Sequence, residues 1–174
     1  MDMEQLLNHP DIFQYKIIRS EEIPFSAEVH EECKENRCGR YGSCWTCPPG
    51  AGGQKELEEK IKKFTYAAVF TCRYELEDES DEEGRAEGSK ATQGVLLELA
   101  DELRNEDVEF LPLGCEGCHI CTKCNYPATA CRFPERALLA VKACGIPVKE
   151  LAERAGLAYS DGPEEITYIC VILF

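Results

Sequence analysis

The chain has 174 residues, of which 12 are cysteines and 44% are hydrophobic, and its formal net charge is −14. This length suffices for an apolar core, so we expect residues 1–174 to form a single domain. The acidic charge argues against a nucleic-acid partner, because phosphate binding needs basic patches, and no run approaches the roughly 18 apolar residues of a membrane span.

The N-terminal stretch MDMEQLLNHPDIFQ indicates the compartment. It lacks the basic start, the apolar stretch and the small-residue cleavage site of a signal peptide. We therefore expect a cytoplasmic protein, in which thiols stay reduced. Clustered cysteines in that setting are more often metal ligands than disulfides.

The first half of the chain predicts two strands, at 13–20 and 65–76, and one helix at 54–64. Between the first strand and the helix lies a cysteine-rich loop at 33–49, where Gly, Pro and Cys interrupt any period. The dense like charge at 77–89 predicts an acidic, solvated loop that is the best candidate for disorder.

The second half of the chain alternates helices and strands around another cysteine-rich loop. In chain order it predicts a helix at 91–103, a strand at 108–114, the loop at 115–134, helices at 135–143 and 148–156, and a strand at 164–174. The fold class is therefore α/β or α+β, with a small mixed sheet flanked by helices and two cysteine-rich metal-binding loops.

The later loop contains the more diagnostic spacing, Cys115-x2-Cys118-x2-Cys121-x2-Cys124-x6-Cys131. A single zinc ion gathers four thiolates at one point, typically from two separate C-x2-C pairs. A [4Fe-4S] cube presents irons at different corners, so one loop can wrap around it and place a thiolate on each. The spacing favours a [4Fe-4S] cluster, with zinc as the alternative.

Two ligand registers are open in this loop. The preferred ligands of the first predicted cluster are Cys118, Cys121, Cys124 and Cys131. The alternative register begins with Cys115 and continues with the next two cysteines. Spacing alone does not separate the two registers.

The earlier loop carries the spacing Cys33-x4-Cys38-x5-Cys44-x2-Cys47, followed by two prolines. Four thiolates in this stretch suffice for one metal centre, and we favour a second [4Fe-4S] cluster. Because Cys44 and Cys47 alone have the spacing of a zinc knuckle, zinc is the alternative here as well.

Several ordered motifs resemble those of the domain of unknown function 2284 family. They are Cys33, Cys38, Tyr41-Gly42, Cys47-Pro48-Pro49, the multi-cysteine loop, Cys131-Arg132-x-Pro134 and Gly145-Ile146-x-Val148. The resemblance spans roughly residues 30 to 150 and implies a cysteine-rich metal-binding protein, of iron-sulfur type, from anaerobic or facultative cells. It implies no established reaction.

The chain departs from the family pattern at two positions. Lys142 stands where relatives tend to have a glutamate, which reverses the charge there. Cys44 falls where the family has no cysteine, so the earlier loop has only three cysteines that match the family pattern.

Two functions from different classes follow. The first is electron transfer through one or two [4Fe-4S] clusters to or from a redox protein partner. The alternative is a structural zinc-binding protein, or one that delivers metal or clusters without redox activity. Enzymatic activity is left open, because an iron without a thiolate at the earlier loop would act as a Lewis acid.

Overall fold

The computed structural model describes residues 2–174, which are organised around a five-stranded mixed sheet. The strands are β1 (Gln14–Arg19), β2 (Tyr66–Glu75), β3 (Leu111–Gly114), β4 (Leu139–Ala140) and β5 (Glu165–Leu173). Their order across the sheet is β1-β2-β5-β3-β4, and only the β3–β4 pair is parallel. The predicted fold class is confirmed in its α+β form.

Five α-helices accompany the sheet. They are α1 (Met3–Leu7), α2 (Ala27–Glu32), α3 (Gln54–Ile61), α4 (Glu82–Asn105) and α5 (Val148–Ala155), with 3₁₀ turns at Ser20–Glu22, Cys33–Glu35 and Lys142–Cys144. Among residues 2–174, no helix combines the length and the apolar character that crossing a membrane requires.

The two central strands form the core because their side chains are apolar on both faces. On β2, Ala67 and Val69 face one apolar cluster while Ala68 and Phe70 face the other, and all four are fully buried. Such continuous apolar runs are typical of strands covered on both sides. Helices α1 and α4 cover one face, and α3 and α5 cover the other.

The acidic segment 77–89 was expected to be a loop, and that expectation is wrong from Glu82 onward, where α4 begins. The Asp81 side chain caps this helix by accepting a hydrogen bond from the Gly84 N–H at 2.8 Å. Gly88 belongs to the packed face, since a Cβ there would lie 2.8 Å from the Tyr74 ring. Tertiary packing and a cap thus outweigh the charge density and the glycines.

The helix expected at 135–143 is also wrong. The chain instead makes turns, the short strand β4 and a 3₁₀ turn. Leu138 and Val141 are buried in the clusters on opposite faces of the sheet, and the Val141 N–H donates to the Gly114 carbonyl at 2.9 Å. An apolar run of this length does not distinguish a helix from an added edge strand.

Candidate metal centre

The two cysteine-rich loops pack against each other at the β4 edge of the sheet. Cys44 and Cys47 from the earlier loop form a small buried cluster with Ala140 and Ala143, and Cys124 from the later loop packs against it. Loops that are far apart in the chain therefore meet where β4 ends.

Polar contacts join the loops through Thr46 and Arg40. The Cys118 N–H donates to the Thr46 hydroxyl at 3.0 Å, and the Ala140 N–H donates to the Thr46 carbonyl at 3.4 Å. The Arg40 guanidinium donates to the Cys118 carbonyl at 3.0 Å. These bonds fix the backbone of one loop relative to the other.

The start of the later loop is held from the sheet side by α4. The buried Gln93 amide donates to the carbonyls of Glu116 and Gly117, both at 3.1 Å. Gly117 also lies directly against the earlier loop, because a Cβ there would be 2.7 Å from the Cys47 sulfur. A glycine at this position is what allows the two loops to approach so closely.

A cavity of about 360 Å³ lies between the loops and is here named the large cavity. Five cysteines line it: Cys44, Cys118, Cys121, Cys124 and Cys131. All four preferred ligands of the later loop therefore border one space, whereas Cys115 does not border it.

Aromatic side chains form part of the wall of the large cavity. Trp45 and Phe133 both line it. The Trp45 indole donates to the Thr129 carbonyl at 3.0 Å and meets the Tyr126 ring edge-to-face at 4.8 Å between centroids. A half-buried tryptophan held in this way limits the access of water to the thiols.

A second cavity of about 230 Å³, here named the small cavity, adjoins the start of the later loop. Its lining includes Cys33, Cys38 and Cys47 from the earlier loop, together with Cys115 and Lys142. Cys44, which belongs to the same predicted group as the first three, is not part of this lining.

The thiol of Cys115 is engaged on the side of α4. Its sulfur lies 3.6 Å from the Ser89 carbonyl and 3.8 Å from the Gln93 side-chain oxygen. The residue packs against the apolar cluster beneath α4. Cys115 therefore borders the small cavity while its sulfur makes its contacts with the helix.

Cys44 and Cys47 are electrostatically linked across the boundary between the cavities. The Cys47 thiol acts as a hydrogen-bond donor and lowers the pKa of Cys44 to about 5. The Cys44 thiolate and burial together raise the pKa of Cys47 well above its ordinary value. The ionisation of the two thiols is therefore coupled, and Cys44 is the one that loses its proton first.

Basic side chains surround the two cavities without carboxylate partners. Arg40 and Lys123 line the large cavity, Arg132 follows Cys131, and Lys142 lines the small cavity. Within residues 2–174, none of these four has a carboxylate oxygen within 4.0 Å. In a chain of net charge −14, cations left without carboxylates favour another anion nearby.

The spacing of the four cysteines in the earlier loop did not predict that they are divided between two cavities. These four were expected to act together, but Cys44 borders the large cavity and the other three border the small one. Within residues 2–174, no three His, Cys, Asp or Glu side chains converge on a point where one ion would sit. The absence of carboxylate partners for the four cations was also missed, and the available signal was that each lies one or two positions from a cysteine in the sequence.

The three cysteines outside the loops are structural. Cys72 lies on β2, Cys144 in the 3₁₀ turn Lys142–Cys144 and Cys170 on β5, and each is fully buried. Burial raises the pKa of Cys72 to about 11 and that of Cys144 to about 12. Buried thiols of this kind are inert rather than metal-binding.

A family model described as predicted metal-binding protein, DUF2284, matches residues 16–174. The chain belongs to this family. The match covers both cysteine-rich loops and every strand except the first two residues of β1. No curated protein and no solved structure matches the chain. The family description supports a metal-binding protein, and it does not name the metal.

Proposed function

We propose that this metal-binding protein carries [4Fe-4S] clusters at the two cavities and transfers electrons to or from a redox protein partner. The observation that carries the proposal is the large cavity, which five cysteines line. When bound, such a cluster supplies a one-electron redox centre. The ligands proposed for it are Cys118, Cys121, Cys124 and Cys131.

The size of the large cavity supports a cluster over a single ion. Zinc draws four sulfurs to about 2.3 Å from one point. A cavity of about 360 Å³ bordered by five cysteines is far larger than one ion requires. A cube distributes its four irons, so thiolates around a cavity of this kind fit it better.

Charge supports the same proposal. A cluster with four thiolates is anionic. Arg40 and Lys123 border the large cavity, Arg132 follows Cys131 in the chain, and none of the three has a carboxylate partner among residues 2–174. Positive charge near a thiolate-bound centre stabilises it and raises its reduction potential. These residues would therefore set how readily the centre accepts an electron.

Backbone and aromatic contacts would hold the thiols in place. The Cys118 amide is fixed by the Thr46 hydroxyl, and Trp45 covers part of the large cavity. Rigid surroundings reduce the reorganisation that accompanies electron transfer, and exclusion of water lowers the local dielectric.

The test is the content of iron, zinc and acid-labile sulfide, with visible absorption, on protein purified without oxygen. The proposal predicts about eight irons and eight sulfides per chain and a brown colour that a low-potential reductant bleaches reversibly. One or two zincs per chain and no colour would overturn it in favour of a structural role.

A double variant localises the iron. Cys121→Ser with Cys124→Ser removes two ligands from the large cavity only, so about half of the iron should be lost. The matched control is Cys72→Ala, which removes a buried thiol outside both loops and should leave the iron unchanged. Unchanged iron in the double variant would contradict the assignment of the large cavity.

A further inference from the structure

The small cavity has fewer thiols available to it than a four-ligand centre needs. We infer that it is a three-cysteine site, held by Cys33, Cys38 and Cys47, that takes a small carboxylate anion from solution beside Lys142. This inference rests on the proposed iron-sulfur function and assigns a ligand class to one of its two centres.

Cys44 is the sequence neighbour that was expected to complete the group of four ligands with Cys33, Cys38 and Cys47. Its side chain is buried, with 2% of its surface exposed, and it lines the large cavity rather than the small one. Its sulfur lies 3.6 Å from the Thr46 hydroxyl. Cys44 is also within hydrogen-bonding reach of Cys47, but four other cysteines already border the large cavity, so we assign Cys44 as a fifth thiol there and a ligand of neither centre.

Cys115 is the remaining cysteine in the lining of the small cavity. Its sulfur is within hydrogen-bonding distance of the Ser89 carbonyl and the Gln93 side-chain oxygen. Both partners belong to α4, on the face of the sheet where Cys115 packs with the apolar cluster. The thiol is thus satisfied by the helix and does not serve the small cavity.

The lining of the small cavity has one basic and one acidic residue, Lys142 and Glu116, and the Glu116 carboxylate pairs with His119. Lys142 has no carboxylate oxygen within 4.0 Å among residues 2–174. The Cys33 thiol donates to the Lys142 backbone carbonyl at 3.9 Å, which places this exposed lysine next to Cys33.

Lys142 has no carboxylate partner, and the three thiols leave the set of ligands incomplete. An anion that brings its own oxygen ligands meets both conditions. The cavity volume of about 230 Å³ admits a small organic acid and excludes a macromolecule. A di- or hydroxycarboxylate meets both requirements, because one carboxylate can pair with Lys142 while the rest fills the cavity.

The test begins with iron content and the EPR spectrum of the reduced full-length protein. Cys47→Ser should lose about half of the iron, and so should Cys38→Ser, whose exposed side chain makes the variant safe for folding. Cys44→Ser and Cys115→Ser are the matched controls and should retain the iron and both EPR signals. Loss of iron in either control equal to that in Cys47→Ser would identify a fourth ligand and overturn the inference.

The anion is tested by titrating L-malate into the reduced protein, with sodium chloride at matched ionic strength as the reference. We expect malate to shift one of the two EPR signals, namely the one that Cys38→Ser abolishes. Lys142→Gln should keep the iron but require about tenfold more malate for half of the shift. A spectrum that responds to malate no more than to chloride would overturn the inference.

The two proposals fail in different ways. Wild-type protein without iron and sulfide refutes the iron-sulfur function itself. Wild-type protein with a full iron content but without a malate response refutes only the three-cysteine site.

Discussion

The sheet and the cysteine loops are stabilised in different ways. In the sheet, residues 67–72 of β2 are fully buried between two large apolar clusters. At the loops, the buried cluster comprises only Cys44, Cys47, Ala140 and Ala143, and single hydrogen bonds make the other connections. The sheet therefore folds by burying apolar surface, whereas the proposed function predicts that the order of the loops depends on the metal bound by their thiols.

Metal removal should give the largest difference in protease sensitivity between the cysteine loops and the sheet. After anaerobic chelation, we expect limited proteolysis within 33–49 and 115–134 to accelerate by about tenfold or more, because the loops lose their cross-links. Peptide bonds within β2 and β5 should stay protected. Mass spectrometry of the early fragments checks this, and equal cleavage across the whole chain would contradict the comparison.

Truncation of a large side chain in the core should lower the stability of the sheet without changing the bound metal. Leu99 on α4 is fully buried, so Leu99→Ala should lower the free energy of unfolding by about 2 to 5 kcal/mol. The metal bound per folded molecule should not change. Denaturant unfolding with metal analysis checks both, and Glu102→Ala, at an exposed side chain of the same helix, is the control with a stability change under about 0.5 kcal/mol.

A methyl group added at Gly117, between the loops, should reduce the metal bound at the small cavity only. Gly117→Ala would place a carbon 2.7 Å from the Cys47 sulfur, so that thiol or the loop backbone must move. We expect a loss of up to about half of the iron while the far-UV circular dichroism is retained. Gly94→Ala is the control, since a Cβ there meets nothing within 4 Å and should leave the metal unchanged. Full iron in Gly117→Ala would show that the loops adapt.

The smallest expected effect is at the cap of α4. Hydrogen bonds from the backbone N–H groups of Glu77 and Gly84 lower the pKa of Asp81 below its ordinary value of 3.8. The stabilisation is therefore present above pH 3.8 and is lost as the pH falls through the lowered pKa. Asp81→Ala should reduce the Tm by about 2 to 4 °C at pH 7, with unchanged metal content.

The role of charge in this cap is checked by measuring how the Tm difference between Asp81→Ala and wild type depends on pH. Thermal scans of Asp81→Ala and wild type should converge as the pH is lowered, because the protonated carboxyl caps poorly. Glu79→Gln, at a neighbouring exposed side chain, is the control and should follow the wild type. A difference that stays constant down to low pH would mean that charge plays no part in the cap.

The elements of the sheet could be predicted because their hydrophobic patterns are local. The strands β2 and β5 and the helices α3 and α5 lie within the ranges expected from periodicity. The start of α4 could not be predicted, since Gly84 and Gly88 lower helix propensity and only contacts with β2 and β5 explain Gly88. The edge strand β4 was missed because its pairing with β3 is not local.

The cysteines of the candidate site could be predicted from the sequence, but their division between the two cavities could not. The spacing of the later loop points to one centre, and its four preferred ligands border one cavity. Cys44 and Cys47 are three positions apart and border different cavities. Which cavity each one meets depends on a loop that lies about 70 residues further along the chain, and spacing carries no information about that contact.

The position of β5 bears on when the protein can acquire its metal. In the sheet, β3 and β4 connect to β1 and β2 only through β5, although β5 follows both loops in the chain. Both loops are therefore synthesised before the strand that joins their supports β3 and β4 to the rest of the sheet, and their nine cysteines can be oxidised before β5 has paired.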